Sequence, residues 1–359
     1  MNHPPSLVVF GTAGYAATHL RRARVLHDVG EIVLAGACDV RDPPAEALEL
    51  LPDDAIVTYD PAELLSRTGA EIAVVATPPR THLVLARLAL DAGCHVLVEK
   101  PPVLDLAAFD ELEQRGRAIQ TGFQSFGSAA VPVIRAAIDR GEIGEVTGVS
   151  AAGAWIRRDE YYQRAAWAGR RDLGDGSLTN PFAHAVASAL LLNGTADADP
   201  DRVTVELYRA RDIECDDTAC TRLTFESAPD VVVAATLAAE ADHDPYVLVH
   251  GTAGRICWHY KTDDLVIGDE KVGVGPPEDL LANLVRHVRA QVPLLAPLAS
   301  TRAFTALVEA VRGAPEPRPL PAEREGNRFV VPGIDAAVDE AAERLALFSE
   351  LDLPWGCPS

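Results

Sequence analysis

Leu7-Val8-Val9-Phe10-Gly11-Thr12-Ala13-Gly14-Tyr15-Ala16-Ala17 decides the fold: an apolar run, a turn with glycines at its first and fourth positions, and the start of a helix. Short apolar runs bounded by turn residues read as strands buried on both faces. The pattern repeats outward from this stretch. Further strands read at Ile32 to Cys38, Ile72 to Ala76, His95 to Val98 and Ile119 to Thr121, with helical stretches between them. One helix start is written out in full, with Asp60 as N-cap, Pro61 in the first turn and Glu63 as the capping-box acid. Strands alternating with helices predict an α/β domain with a parallel doubly wound sheet over residues 1–122.

Past Gly122 the texture changes. A helix from about Val131 to Arg140 ends at Gly141, and alternating runs follow at Val146 to Trp155, Val203 to Tyr208, Thr221 to Phe225, Val231 to Ala238 and Tyr246 to His250. Such alternation belongs to strands with one buried side. Residues 123–359 are therefore expected to form an α+β domain on a large, mostly antiparallel open-faced sheet. Helices are expected at about Phe182 to Leu192, Pro277 to Ala290, Thr301 to Arg312 and Ile334 to Phe348, the last with Asp339, Glu340 and Glu343 on its wet side. Gly313 to Gly326, rich in Pro and Glu, reads as a surface loop.

The length of 359 residues supports two domains, and 48% hydrophobic against 24% charged residues is ordinary for a folded chain. A net charge of -21 sets the chain against nucleic-acid phosphates and anionic membranes. No apolar run reaches the length of a membrane span and the N-terminus lacks a signal-peptide core, so a cytoplasmic protein is expected. The six cysteines (Cys38, Cys94, Cys215, Cys220, Cys257 and Cys357) are scattered through apolar runs and read as buried thiols. His243, His250 and His259 lack metal-ligand spacing, so no metal is expected. Asp216 and Asp217 read as a cap or salt bridge at a strand start, and Arg21, Arg22 and Arg24 as a solvated helix face.

The glycine turn carries the first chemical signal. Gly11, Thr12, Ala13, Gly14 and Tyr15 form a variant of the loop whose backbone approaches a pyrophosphate at a helix N-terminus, the mark of a dinucleotide-binding Rossmann unit. Ala13 stands where a second glycine usually allows the closest approach, so a slightly displaced pyrophosphate is expected. Asp39, at the end of the second strand, would accept hydrogen bonds from the adenosine ribose hydroxyls and repel a 2′-phosphate. That favours NAD, with NADP left open by the neighbouring Arg41. The second signal is Glu99-Lys100-Pro101-Pro102, which follows a strand and so falls at the carboxyl edge of a parallel sheet, where ligands of such sheets sit. A lysine beside a cationic nicotinamide would have a lowered pKa and could move protons. Thr77, Pro78 and His82 close the third strand at the same edge.

These residues resemble the glucose-fructose oxidoreductase, inositol dehydrogenase and rhizopine-catabolism family, Gfo/Idh/MocA. The resemblance rests on the glycine turn with His19, Thr77-Pro78 with His82, Glu99-Lys100-Pro101, Gly122-Phe123-Gln124, Gly141 to Val146 and Ile213 to Ala219. It implies that Lys100 contacts nicotinamide and substrate, that Glu99 and Thr77 touch the cofactor, that Gln124 lies near the nicotinamide amide, and that Pro101 follows a cis bond. It further implies a substrate-facing histidine, matched by His184 in Gly174-Asp175-Gly176-Ser177-Leu178-Thr179-Asn180-Pro181-Phe182-Ala183-His184. Asn180 stands where the family has an aspartate, and Ala187 where it has another. Four residues on a helix would put Asn180 and His184 on one face. An amide can hydrogen-bond a sugar hydroxyl but cannot stabilise an imidazolium by charge.

Upstream, residues 155–171 hold two tryptophans, two tyrosines and five arginines in seventeen positions of a chain with 6% aromatics. Aromatic faces stack on pyranose rings, and arginines bind hydroxyls or carboxylates in fixed geometry. Trp155, Arg157, Tyr161, Tyr162, Arg164 and Trp167, with Asn180, are thus expected to bind substrate, and the basic residues would admit an anionic or nucleotide-linked sugar. The expected activity is NAD(P)-dependent hydride transfer to or from a carbinol or keto carbon of a sugar, cyclitol or glycoside, with Lys100 and His184 catalytic. Two alternatives are a redox-assisted glycosidase, which oxidises C3 transiently, and a non-catalytic NAD- or sugar-sensing partner protein. The resemblance implies that residues 123–359 bind the substrate and carry the contacts of a homodimer or homotetramer.

Overall fold

A computed structural model describes residues 3–355; Cys357 lies outside them. The chain divides into two compact units, residues 1–127 with 278–299, and residues 128–277 with 300–359. The expected boundary at 122 thus shifts a few residues, and a later segment returns to the first unit.

In the first unit β1 (Ser6–Phe10), β2 (Val33–Cys38), β3 (Ile56–Thr58), β4 (Ile72–Val75), β5 (His95–Val98) and β6 (Ile119–Thr121) form one sheet in the order β3-β2-β1-β4-β5-β6. Every pairing is parallel. The central strands are buried on both faces, as continuous apolar runs require. Strand order reverses between β1 and β4, so the residues that leave those two strands face a crevice at the carboxyl edge. β3 was missed because Ile56-Val57-Thr58 is too short to show a period. Asp60 caps its helix as expected, accepting from Ala62 N at 2.8 Å with Pro61 in the first turn.

The segment that returns is fastened to β6. Gln120 Nε2 donates to Asn283 Oδ1 at 2.7 Å and to the Leu280 carbonyl at 3.1 Å, and its Oε1 accepts from Ala296 N at 3.0 Å. Thr121 adds bonds from its N and Oγ1 to the Ala296 carbonyl. A buried amide with its donors and acceptor used in this way ties sequence-distant backbone to an edge strand. Arg22, expected on a solvated face, pairs with Asp279 at 3.0 Å.

The second unit is built on a nine-stranded mixed sheet from β7 (Val146–Ile156), β8 (Arg202–Arg209), β9 (Thr218–Phe225), β10 (Ala228–Thr236), β11 (Ala238–Gly251), β12 (Arg255–His259), β13 (Asp264–Ile267), β14 (Glu270–Val272) and β15 (Arg318–Pro319). Most pairs are antiparallel, with β10 on β7 and β15 on β8 parallel. The helix Ala183–Asn193 lies on one side of β7, where the Phe182 ring fills the space that a side chain at Gly153 would need. The helix Ile334–Arg344 lies on the other, where Ser150 Oγ bonds the Ala342 carbonyl at 2.8 Å. The centre of β7 is thereby covered on both sides, while Cys257, His259 and Val266 on β12 and β13 are half-buried. Cys38, Cys94, Cys215 and Cys220 are buried free thiols.

Candidate active site

Each unit carries part of the expected chemistry. At the end of β1, Gly11 takes φ 101°, and a Cβ there would lie 2.5 Å from the Ala76 carbonyl oxygen, so no side chain fits between β1 and the end of β4. Thr12 donates from N and from Oγ1 to Asp39 Oδ2, both at 2.9 Å, and Asp39 Oδ1 accepts from Arg41 N at 3.2 Å. Asp39 therefore fastens the turn. Its four lone-pair sites still leave acceptor capacity for ribose hydroxyls. The helix Tyr15–Asp28 starts at Gly14 with no side-chain cap and no acid in its first turn, and Ala13, Gly14 and Tyr15 are exposed. Uncapped N–H groups and the positive end of the helix dipole at an exposed turn suit a pyrophosphate, so these residues fit a dinucleotide.

Glu99 and Lys100 leave β5 at the same edge. The Glu99 carboxylate is caged: Oε1 lies 2.8 Å from His19 Nε2 and accepts from Gln124 Nε2 at 3.2 Å, while Oε2 accepts from Lys100 N at 3.2 Å. A Cβ on Gly122 would meet Glu99 Oε1, Cδ and Oε2 at 2.6, 2.7 and 2.7 Å, so the cage closes only around a glycine. His19 is buried, and Tyr15 packs edge-on against it with ring centroids 5.3 Å apart. Partial burial, then the nearby Glu99 charge, raises the Tyr15 pKa.

The Lys100–Pro101 bond is cis. Buried His82 bridges the loops that follow β4 and β5, with Nε2 2.7 Å from the Thr77 carbonyl and Nδ1 2.7 Å from the Pro101 carbonyl. A neutral imidazole has one N–H for these two acceptors. Burial nevertheless holds the His82 pKa below its ordinary value, against the pull of the two carbonyls. Thr77 Oγ1 bonds Thr81 Oγ1 at 2.6 Å, and Pro78 is exposed at the rim.

In the second unit the expected wall forms a ladder. The Arg157 guanidinium lies 4.7 Å from the Trp155 ring centroid and 5.0 Å from that of Tyr161. The Arg164 guanidinium lies 3.6 Å from Tyr161 and 4.9 Å from Trp167. Trp155 packs on Phe182 with centroids 4.3 Å apart and takes Lys261 Nζ at 5.0 Å. Tyr162 stands apart. It turns its edge to Tyr161 and lies under Arg211, with its hydroxyl buried and unpartnered, and burial raises its pKa well above the ordinary value.

One expectation is corrected here. The helix begins at Ala183, after Pro181, so Asn180 sits in the preceding turn and helical spacing does not relate it to His184. Asn180 Nδ2 instead donates to Asp175 Oδ1 at 2.8 Å, and Asp175 Oδ2 accepts from Gly169 N at 2.7 Å. Asp175 is buried, so a carboxylate stands behind the amide at position 180. His184 is half-buried in a helix whose residues 183 and 185–192 are buried, which leaves its imidazole as that helix's only side chain before Asn193 with access outward. Its ring lies 6.4 Å from Tyr260.

Asp216 and Asp217 are both buried. Asp217 pairs with Arg211 at 3.2 Å, as a salt bridge at the strand start requires, while Asp216 Oδ2 accepts from Ser177 N at 2.8 Å and Ser177 Oγ at 2.5 Å. Desolvation raises the Asp216 pKa to about 6. Sequence reasoning missed Asp175, Tyr260 and Lys261. Asp175 lay in the quoted motif, and the signal was a lone carboxylate five residues before Asn180. Tyr260 and Lys261 are far along the chain, after a strand that was also missed.

A six-stranded parallel sheet with a glycine turn at its switch point, an uncapped helix behind it and a lysine at its carboxyl edge defines an NAD-binding Rossmann protein of the oxidoreductase class. The chain belongs to the Gfo/Idh/MocA family: the family model described as "Oxidoreductase family, NAD-binding Rossmann fold" matches residues 6–121, and the "GFO/IDH/MocA C-terminal domain" matches residues 132–257. Among curated relatives, D-glucoside 3-dehydrogenase of Escherichia coli (strain K12) is 26% identical over 168 residues, 46% of this chain and 47% of the relative. Inositol 2-dehydrogenase 1 of Saccharopolyspora erythraea is 29% identical over 142 residues, 38% of this chain and 42% of the relative. The chain thus spans about half the length of these relatives. Among solved structures, the WlbA dehydrogenase from Bordetella pertussis in complex with NADH and UDP-GlcNAcA superposes with a TM-score of 0.71 at 20% identity, covering 89% of this chain and 100% of that one. GenD2 from gentamicin A biosynthesis, in complex with NAD, gives 0.68 at 21% identity, covering 87% and 94%. Among the described residues no helix is long and apolar enough to cross a membrane.

Proposed function

We propose that the protein is an NAD-dependent dehydrogenase or reductase acting on a carbinol or keto carbon of a sugar or cyclitol, with Lys100 and His184 as its catalytic residues. The observation that carries this reading is the caged Glu99 carboxylate, which fixes the start of the loop bearing Lys100 at the carboxyl edge. When bound, the nicotinamide supplies a hydride acceptor or donor at C4. Gly11 to Tyr15 would hold the pyrophosphate, Asp39 the ribose, and Thr77, Pro78 and Gln124 the nicotinamide end. His82 positions the Thr77 and Pro101 backbones from beneath.

Lys100 places its ammonium against the substrate oxygen and stabilises the alkoxide as charge develops there. His184 takes the hydroxyl proton in oxidation and returns it in reduction. Asn180, oriented by Asp175, hydrogen-bonds the ring. The curated relatives that act on a glucoside and an inositol support a polyhydroxylated substrate. The test is absorbance at 340 nm with purified protein, NAD or NADP, and a panel of sugars, cyclitols, uronates and glycosides. Turnover with NAD that outpaces NADP supports the reading and the role of Asp39; a panel silent with both cofactors, despite NAD binding, contradicts it.

A further inference from the structure

We propose that the alternating ladder Trp155, Arg157, Tyr161, Arg164 and Trp167 is a recognition site for a sugar that carries an anionic group, with a uronate carboxylate as the ligand its geometry fits best. The inference rests on the dehydrogenase reading and narrows its substrate class.

The chain has 53 acidic residues and 32 lysines and arginines, so a guanidinium has many carboxylates available to it. Arg170 and Arg324, near the same segment, do take carboxylate partners. Among the described residues, Arg157 and Arg164 have no carboxylate within 4.0 Å. They are held by rings instead, Arg157 between Trp155 and Tyr161 and Arg164 between Tyr161 and Trp167.

A ring contact uses the face of a guanidinium and leaves its in-plane N–H donors. Arg157 spends one of these on the Ile156 carbonyl at 3.1 Å, and its buried Nε has no partner. Coplanar N–H pairs match the two oxygens of a carboxylate, and the half-buried ring of Trp167 at the end of the ladder supplies an apolar surface on which a pyranose can stack. The net charge of -21 repels anions from the rest of the surface, so a cationic stack whose guanidiniums make no ion pair is where an anionic sugar would gain most, even with the buried Asp175 carboxylate nearby. Lys261, over Trp155, adds a third cation but shares its charge with Asp244 at 3.2 Å.

Calorimetric titration of the NAD-loaded protein tests this with D-glucuronate, its neutral methyl ester, D-glucose, D-glucose 6-phosphate and UDP-glucose. D-Glucuronate should bind at least tenfold more tightly than glucose or the ester. The preference should fade as salt is raised, and it should collapse in both Arg157→Met and Arg164→Met. NAD affinity and thermal midpoint serve as the folding controls. A larger preference for glucose 6-phosphate or UDP-glucose, lost in the same variants, supports the anion site with a phosphoryl group as its occupant. Equal binding of glucose and every anionic probe, or an anion preference that survives both substitutions, overturns the proposal. If neutral sugars then still reduce NAD, the ladder inference falls while the dehydrogenase reading stands. Arginine-dependent glucuronate binding without hydride transfer to or from any sugar is the opposite result.

Discussion

Gly122→Ala probes the cage that holds Glu99. The new Cβ would meet three carboxylate atoms at 2.6–2.7 Å, and ordinary contact begins at 3.4 Å, so the carboxylate must retreat by at least about 0.7 Å. It cannot do so and keep the 2.8 Å contact with His19. A hydrogen bond to a charged group contributes about 1.5–3 kcal/mol. Overpacking alone costs about 1–3 kcal/mol. Because relief of the clash is what breaks the bond, the two overlap, and a loss of about 2–4 kcal/mol from the first unit is expected. The four tryptophans, at positions 155, 167, 258 and 355, all belong to the second unit. Denaturation followed by circular dichroism should therefore show an early transition that tryptophan fluorescence does not see. NAD should also bind at least tenfold more weakly, which corresponds to about 1.4 kcal/mol. Coincident, unshifted transitions and unchanged NAD affinity would refute the cage.

Four further outcomes follow from the same geometry. Lys100→Met should remove most turnover and leave the NAD dissociation constant within a few-fold, read by steady-state kinetics and calorimetry. Asp39→Ala strips Thr12 of the acceptor for two 2.9 Å bonds, so NAD affinity and stability should both fall, by about 1–3 kcal/mol in a melt, and discrimination against NADP should shrink in kcat/KM. Asp216 has its folded pKa raised to about 6 from an ordinary 3.8, so its contribution is fully present below that ordinary value and is lost as pH rises through about 6. The wild type should thus lose up to about 3 kcal/mol between pH 4 and 6 relative to Asp216→Asn, and parallel pH profiles of the two denaturant midpoints would contradict this. Asp175→Asn should cut kcat at least tenfold and change its pH profile, because Asn180 loses the carboxylate that orients it; a variant altered only in thermal midpoint would reduce Asp175 to a loop brace.

Most of the first unit was legible because a parallel sheet needs apolar strands at regular intervals and a glycine where backbone passes backbone. Gly11, Asp60 and Glu99-Lys100 each carry a local signal of that kind. β3 was too short to show one, and the segment 278–299 joins β6 through the buried polar side chains of Gln120 and Thr121, which no local pattern marks. Pro181 announces that the helix bearing His184 starts late, but that signal was outweighed by the four-residue spacing from Asn180. The pairing of Asp175 with Asn180 depends on a turn conformation, which a sequence window does not encode. The ladder from Trp155 to Trp167 was visible as composition; its alternation of ring and cation came only with the fold.

Hydride transfer assisted by Lys100 and His184 is tested most directly by following a deuterium label. Carbon-perdeuterated glucose, inositol and glucuronate are incubated with the protein and NAD, and the recovered nicotinamide is analysed by mass spectrometry for deuterium at C4. Label is expected with the wild type and almost none with Lys100→Met, while both bind NAD. Nicotinamide that returns unlabelled from all three substrates in both proteins, with NAD bound throughout, would contradict it.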